Sequence, residues 1–307
     1  MTSSLSEDSL RDLTGRLQQA NEEFSRHYRG ESGRRQPVHT VYGGAHLFKS
    51  DSAKRLGSLA RRSLDQFAPD FLTFARALNL PGATELPETT EEAEELVSLL
   101  RTEPNEARKE KKAAWLAYTI YSRVSEKLQR EPVEDFRIDF EDGYGNRPDD
   151  EEDGHAVSAA AETAEGSKQG TLPPFIGIRI KPFNEELRAR SFRTLDIFVS
   201  TLVELNRGRL PENFVVTLPK ITIPEQVSTL ASLLAQLEKQ TGLAEGSLKF
   251  EMMIETTQSI INHSGEINLP LLLAASDGRC VATHFGTYDY TAGCNITAAH
   301  QHMLHPA

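Results

Sequence analysis

The chain has little cysteine: Cys280 and Cys294 are the only two in 307 residues. Two thiols build no disulfide framework, so the expectation is free thiols in a reducing cytoplasm. Long apolar runs are missing too. The longest, Leu269 to Ala275, is far too short to span a bilayer, so no membrane partner is expected. The start, MTSSLSEDSLRDL, has neither the basic nor the apolar region of a secretion signal. Positive charge is scarce, 34 Lys+Arg against 45 Asp+Glu for a net charge of −11. That balance argues against a nucleic-acid partner. It leaves an anionic substrate open, because a local arginine or a bound cation overrides the global field.

What is present is a rhythm. Five apolar, strand-like runs each end in a charged residue: FRIDFED (Phe136–Asp142), FIGIRIK (Phe175–Lys181), FVVTLPK (Phe214–Lys220), KFEMMIE (Lys249–Glu255) and VATHFGTYD (Val281–Asp289). Their starts lie roughly 32–39 residues apart, about one βαβ step. A charged residue inside a buried parallel strand is costly. At the C-terminal end of each strand, such residues converge on one site, as they do in a (β/α)₈ barrel. VHTVYGG (Val38–Gly44) supplies a first strand, with His39 and Tyr42 expected near its C-terminal end.

Residues 1–36 read as a polar arm without a strong apolar face, and 37–307 as the barrel domain. Between the first and second strands roughly 90 residues intervene, more than one crossover helix needs. Three helical segments fill them: about Asp51 to Leu78, a second after Thr89, which has capping-box spacing to Glu92, and a third from about Asn105 to Gln129. A helical insertion at about 80–131 is expected. Beyond it, helix signals follow each strand: acids Asp149–Asp153, a cap at Asn184, Pro224 in a first turn, stops near Gly208, Gly242 and Gly278. The reading is a TIM barrel of α/β class showing six strands. A closed barrel needs eight, so the last two are expected to come from elsewhere, or the chain to be a truncated form of a longer protein.

Asp139, Glu141 and Asp142 in DFEDG raise each other's pKa unless a cation or donor lies nearby; the plain alternative is a solvated strand end. Arg179 and Lys181 in GIRIKP alternate onto one face. Buried there, they need an anion, either a substrate oxygen or the acids of the preceding strand. Lys220 in TLPKI is open between a site role and a solvent-facing strand end. Glu255 in MMIETT closes an apolar run and needs a cation or donors. Asp289 follows Gly286, which allows close backbone approach. Two carboxylates with waters and substrate oxygens are how Mg²⁺ is usually held. His300, His302 and His305 fit no standard structural zinc spacing, and no cysteine pair accompanies them. His284 reads as a core residue or one supporting the site from behind.

In this order the motifs resemble the superfamily of the citrate lyase β-subunit, malyl-CoA lyase, malate synthase and the metal-dependent hydroxy-oxo-acid aldolases, which are TIM barrels. The resemblance runs from about Val38 to Asn295. DFEDG is similar to the family's Leu-Glu-Asp, GIRIKP to its Val-Arg-Ile/Val-Asn, TLPKI to its Leu-Pro-Lys, MMIETTQSI to its Ile-Glu-Thr-Ala and HFGTYDYTA to its Phe-Gly-x-x-Asp. Lys181 stands where the family commonly has Asn, and VHTVYGGAHLF lacks the usual Arg-rich, CoA-facing turn. The resemblance implies a carbon–carbon lyase or aldolase acting through an enolate on a small oxo- or hydroxy-acid or its CoA thioester. It implies Mg²⁺, or Mn²⁺ in its place, on Glu255 and Asp289. Arg179, Glu141 and Asp142 would be catalytic, and His39, Tyr42, Lys220, Gly286 and Thr287 would line the substrate site. A homo-oligomer is expected. The competing readings are a thioester hydrolase on the same scaffold and a non-catalytic metabolite-binding barrel subunit.

Overall fold

The computed structural model describes residues 4–30, 32–88 and 90–307. The chain divides into two compact units, residues 1–36 and 37–307. The first holds one helix, α1 (Glu7–His27). The second opens with β1 (Val41–Gly44) and runs into a helical insertion. There follow α2 (Ser52–Phe67), α3 (Phe71–Ala77), α4 (Thr90–Thr102), α5 (Pro104–Glu110) and α6 (Lys112–Arg130). The rest alternates: β2 (Asp135–Asp139), α7 (Asp149–Gln169), β3 (Phe175–Arg179), α8 (Arg188–Leu205), β4 (Phe214–Leu218) and α9 (Pro224–Thr241). It ends with β5 (Lys249–Ile254), α10 (Thr257–Ile260), α11 (Leu269–Ala275), β6 (Cys280–Phe285) and α12 (Thr287–Gly293). No helix among the described residues is long and apolar enough to cross a membrane.

All six strands pair in parallel and in chain order, β1 through β6, as an open sheet. This is the α/β barrel-like arrangement, six strands long and not closed by backbone pairing. Alternation divides the sheet into two different faces. Phe136, Ile138 and Phe140, Ile176, Ile178 and Ile180, Val216 and Leu218, and Phe250, Met252 and Ile254 form the main core with α7, α8 and α9. The other face is concave and polar. It is curled enough that Tyr42 on β1 meets His284 on β6, Oη to Nε2 3.3 Å. A barrel interior is ordinarily packed with Val, Ile and Leu; here Arg137, Asp139, Arg179, Thr217 and Glu251 occupy it, all buried.

The helix signals act as their chemistry dictates. Four acids open α7 against the positive end of its dipole, and Gly170 in the left-handed region (φ 64°) closes it. Asn184 Oδ1 accepts from Leu187 N (2.8 Å). Three expectations need correction. The helix read from Asp51 to Leu78 is broken before Pro69, and Asp70 restarts it by accepting from Thr73 N at 2.7 Å. As a result α3 joins the insertion's own core. Phe71 and Phe74 lie edge-on to Tyr118 and Tyr121 of α6, and that core begins at Phe71 rather than near residue 80. Thr89, read as the cap of α4, lies outside the described residues. The first strand begins at Val41 rather than Val38, so His39 lies before its N-terminal end and not near its C-terminal end.

Candidate functional site

The deepest tier of the concave face is an ion network. Arg137 donates to Glu251 through Nε (2.7 Å) and Nη2 (2.9 Å), to Thr217 Oγ1 (3.2 Å), and through Nη1 to Asp135. Thr40 Oγ1 donates to the other Asp135 oxygen (2.9 Å). Burial pushes the Glu251 carboxyl up, but the Arg137 fork outweighs it and holds the group below its usual range. His284 Nε2 lies 3.7 Å from Glu251 Oε1 and 3.3 Å from Tyr42 Oη. Burial and the Glu251 charge keep the Tyr42 phenol well above its ordinary value. Sequence reasoning missed Arg137, Asp135 and Glu251. The available signal was the charge at alternate positions of FRIDFED; what pairs with it lies 114 residues away.

One tier nearer the C-terminal ends, Asp139 anchors Arg179. The guanidinium donates through Nε to Oδ1 (2.7 Å) and through Nη2 to Oδ2 (2.5 Å). The same carboxylate accepts from the backbone of Glu141 (2.9 Å) and Gly143 (2.8 Å), so it also folds the turn after β2. A Cβ on Gly143 would come within 2.6 Å of Asp139 Oδ2, which is why that turn carries glycine. The Tyr42 ring lies under the guanidinium, 4.7 Å from Cζ. That leaves Nη1, 3.1 Å from Glu141 Oε2 and 3.6 Å from Asp142 Oδ2.

Lys220 follows β4 with φ 51°, in the left-handed region that a non-glycine residue rarely takes. Such strain persists where the surroundings over-determine it. Its backbone N–H donates to Glu255 Oε1 (2.7 Å). Its ammonium donates to Glu141 and to Asp142 (3.0 Å to Oδ2) and lies 3.6 Å from Asp289 Oδ2. One lysine thus touches four carboxylates from the ends of β2, β5 and β6. Gly286, at the start of α12, completes the packing: a Cβ there would fall 2.5 Å from Glu255 Cβ and 2.6 Å from Oε2.

The electrostatics separate these acids. Burial pushes the Glu255 carboxyl to about 7; the Lys220 N–H and charge oppose this, and Asp289 and Glu141 add to it. Burial also raises Glu141. Burial acts the same way on neighbouring Asp142, but hydrogen bonds from Glu141 and Lys220 bring it below its usual value. Two neighbouring acids pushed in opposite directions from their usual range are an arrangement suited to proton transfer.

The cluster therefore contains Arg179, Glu141, Asp142, Lys220, Glu255, Asp289, Gly286 and Tyr42. Three other expectations are corrected. His39 Nε2 accepts from Glu134 N (3.4 Å), at the N-terminal end of β2 and away from the cluster. Thr287 turns its buried hydroxyl to Met303 Sδ. Lys181 does not share a face with Arg179: β3 ends at Arg179, and Lys181 turns to the helical layer, donating to Phe140 O (2.6 Å) and pairing with Glu152 of α7 at 2.9 Å.

Among the described residues, no group of three or more His, Cys, Asp or Glu side chains is arranged as a ready metal cage. Glu255 and Asp289 nonetheless offer hard oxygen donors, and Glu141 Oε2 is buried with the Arg179 ion pair at 3.1 Å but no hydrogen bond. Two carboxylates completed by waters are a donor set that suits Mg²⁺.

A family model described as "Domain of unknown function (DUF6986)" matches residues 17–307. None of the curated proteins compared matches the chain significantly. Among solved structures, a citrate lyase from Burkholderia xenovorans LB400 is 18% identical with a TM-score of 0.42, covering 57% of this chain and 47% of that one. The lead(II) complex of Haloferax volcanii malate synthase is 17% identical with a TM-score of 0.41, covering 55% and 46%. Its magnesium/glyoxylate complex is 18% identical with a TM-score of 0.39, covering 54% and 46%. The matched stretch spans about half the length of each of these chains.

Proposed function

The chain belongs to the DUF6986 family, and we propose that it is a Mg²⁺-dependent carbon–carbon lyase or aldolase acting on a small oxo- or hydroxy-acid or its CoA thioester. One observation carries the reading: four carboxylates gather around Lys220 at the C-terminal ends of parallel strands, and Arg179 Nη1, not used by Asp139, faces two of them. Strand ends are where this architecture places chemistry.

Glu255 and Asp289 would hold the metal, which when bound supplies Lewis-acid polarisation of a substrate carbonyl. The chain's own residues do the rest. Arg179 Nη1, the nitrogen left over by Asp139, donates to the oxygen on which enolate charge develops. Because the rest of the fork is already fixed, this donor needs no reorganisation during reaction. Tyr42 beneath it fixes the plane of the guanidinium. Glu141, whose carboxyl burial pushes up, is the group to take and return a proton, and Asp142 beside it, pushed down, is its opposing member. Lys220 offsets their charge and, through its backbone N–H, orients Glu255.

The test is a screen of oxo-acids, hydroxy-acids and acyl-CoA esters for cleavage, in excess Mg²⁺ and in chelator. Release of an oxo-acid that requires Mg²⁺ and is lost in Glu255→Gln is the expected result. Hydrolysis of the thioester without carbon–carbon cleavage would replace the lyase with a hydrolase. No turnover together with no metal-induced stabilisation would overturn the reading.

A further inference from the structure

The first unit of the chain has a surface that the catalytic reading leaves unused. α1 (Glu7–His27) is 21 residues long, and its described side chains are all exposed. Its apolar positions are Leu10, Leu13, Leu17, Ala20 and Phe24, followed by His27. The intervals alternate between three and four, the repeat of a coiled-coil seam. Leu13, Leu17 and Phe24 are 60%, 61% and 60% exposed. A polar helix of this length is marginal by itself, and most helical stability comes from covering such a stripe.

We infer that α1 pairs with α1 of a second copy of this chain as an antiparallel two-helix coil. The sequence of the stripe chooses the occupant and its direction. Run antiparallel with Leu17 against Ala20 of the second copy, the layers become Leu17 on Ala20, Leu13 on Phe24 and Leu10 on His27, each once in either order. Large residues then meet small or planar ones. A parallel pair would instead put Ala20 on Ala20, leaving a gap, and His27 on His27 in the seam.

Charge selects the same direction. The first turn of α1 carries Glu7 and Asp8, and its last turn Arg26 and His27, with Arg29 just beyond. Antiparallel pairing brings the acidic start of one helix within a turn of the basic end of the other. It also places Arg16 opposite Glu22 and Glu23 and opposes the two helix dipoles. Parallel pairing would align acids with acids and bases with bases. The resemblance implies a homo-oligomer but names no surface; this helix supplies one, independent of the chemistry of the barrel.

The full chain is tested with Cys280→Ser and Cys294→Ser as background, so that introduced thiols are the only ones. Two versions are made, Leu17→Cys and Ala20→Cys, and oxidised separately and as an equal mixture. The antiparallel register gives a disulfide-linked dimer in the mixture, with Cys at 17 bonded to Cys at 20, and little in either version alone. Adding Leu13→Asp to both should abolish the link. Light scattering on the unmodified full chain should give twice the 34.1 kDa of one chain, falling to one on Leu13→Asp/Leu17→Asp with the melting temperature of the rest unchanged. Self-linked dimers within each version would show a parallel pair and overturn the proposal. A monomer in the unmodified chain, or a dimer indifferent to Leu13→Asp/Leu17→Asp, would overturn it as well.

Discussion

Glu255→Gln isolates the cost of keeping a carboxylate in this site. The folded group titrates at about 7 against an ordinary 4.5, and burial is the main cause. The difference, 7 − 4.5, is 2.5 units. At about 1.36 kcal/mol per unit, ionising Glu255 in the fold costs about 3 kcal/mol. The direction follows from proton counts. Between pH 4.5 and 7 the folded state retains a proton that the unfolded chain has released, so stability falls as pH rises across that window. Glutamine preserves the shape and an oxygen for the Lys220 N–H, yet never ionises. The variant should therefore gain about 1 kcal/mol or less at pH 5 and about 3 kcal/mol at pH 8. At about 2 °C per kcal/mol for a domain of this size, that is about 6 °C at pH 8. The assay is thermal melting of both proteins at the two pH values in chelator, repeated with Mg²⁺. Mg²⁺ should raise the melting temperature of the unmodified protein at pH 8 and leave the variant where it was. Equal gains at both pH values, or a loss at pH 8, would mean that Glu255 is not held against ionisation and would refute the reasoning.

Arg179→Ala strands the buried Asp139 carboxylate with only backbone donors and should lower stability by about 3–5 kcal/mol in denaturant melts. Arg179→Lys should stay folded but lose about 10²–10³ in turnover; a fully active Lys variant would remove this residue from substrate contact. Gly286→Ala places a Cβ 2.6 Å from Glu255 Oε2, so Glu255 must shift. The expected result is a cost of roughly 1–3 kcal/mol and loss of the Mg²⁺ stabilisation, and a variant retaining that stabilisation in full would separate Gly286 from the site. Lys220→Met removes the cation shared by Glu141, Asp142 and Asp289 and should lower stability at pH 8 by roughly 2 kcal/mol. Mg²⁺ should restore a large part of that loss, and a melting temperature that ignores Mg²⁺ would speak against a cation site here.

The strands were legible because their signals are local. Phe175, Phe214 and Lys249 begin β3, β4 and β5 as the apolar runs begin, and glycines and a proline punctuate the helices between. The acids and lysine of the cluster were legible for the same reason, each standing where an apolar run stops. What was not legible depends on partners distant in sequence. Arg137 drew no reading from the sequence, because its counter-charge, Glu251, lies 114 residues on. Lys181 follows the alternation of β3 only if β3 continues; the strand ends at Arg179, and Glu152 draws the lysine to the other layer. His39 was misplaced by a strand start three residues too early. The seam of α1 was hidden by its polar composition, since five apolar positions among so many charges produce no run to notice.

Counting charge in the upper tier connects the proton, the lysine and the metal. Arg179 and Lys220 bring two positive charges to Asp139, Glu141, Asp142, Glu255 and Asp289. With every acid ionised the balance is 2 − 5 = −3. With Glu255 protonated, the acid that burial pushes to about 7, it is 2 − 4 = −2. Such a deficit in a half-buried space is costly unless something positive arrives. Below neutral pH a proton on Glu255 can do this. Above it, a divalent cation held by Glu255 and Asp289 would do the same and would itself supply the charge that polarises a carbonyl. Proton and metal then compete at Glu255, so apparent Mg²⁺ affinity rises with pH through 7 and levels off beyond it. Arg137 and Glu251 below neutralise one another whichever of the two binds, so the floor under Arg179 does not move as the upper tier changes charge.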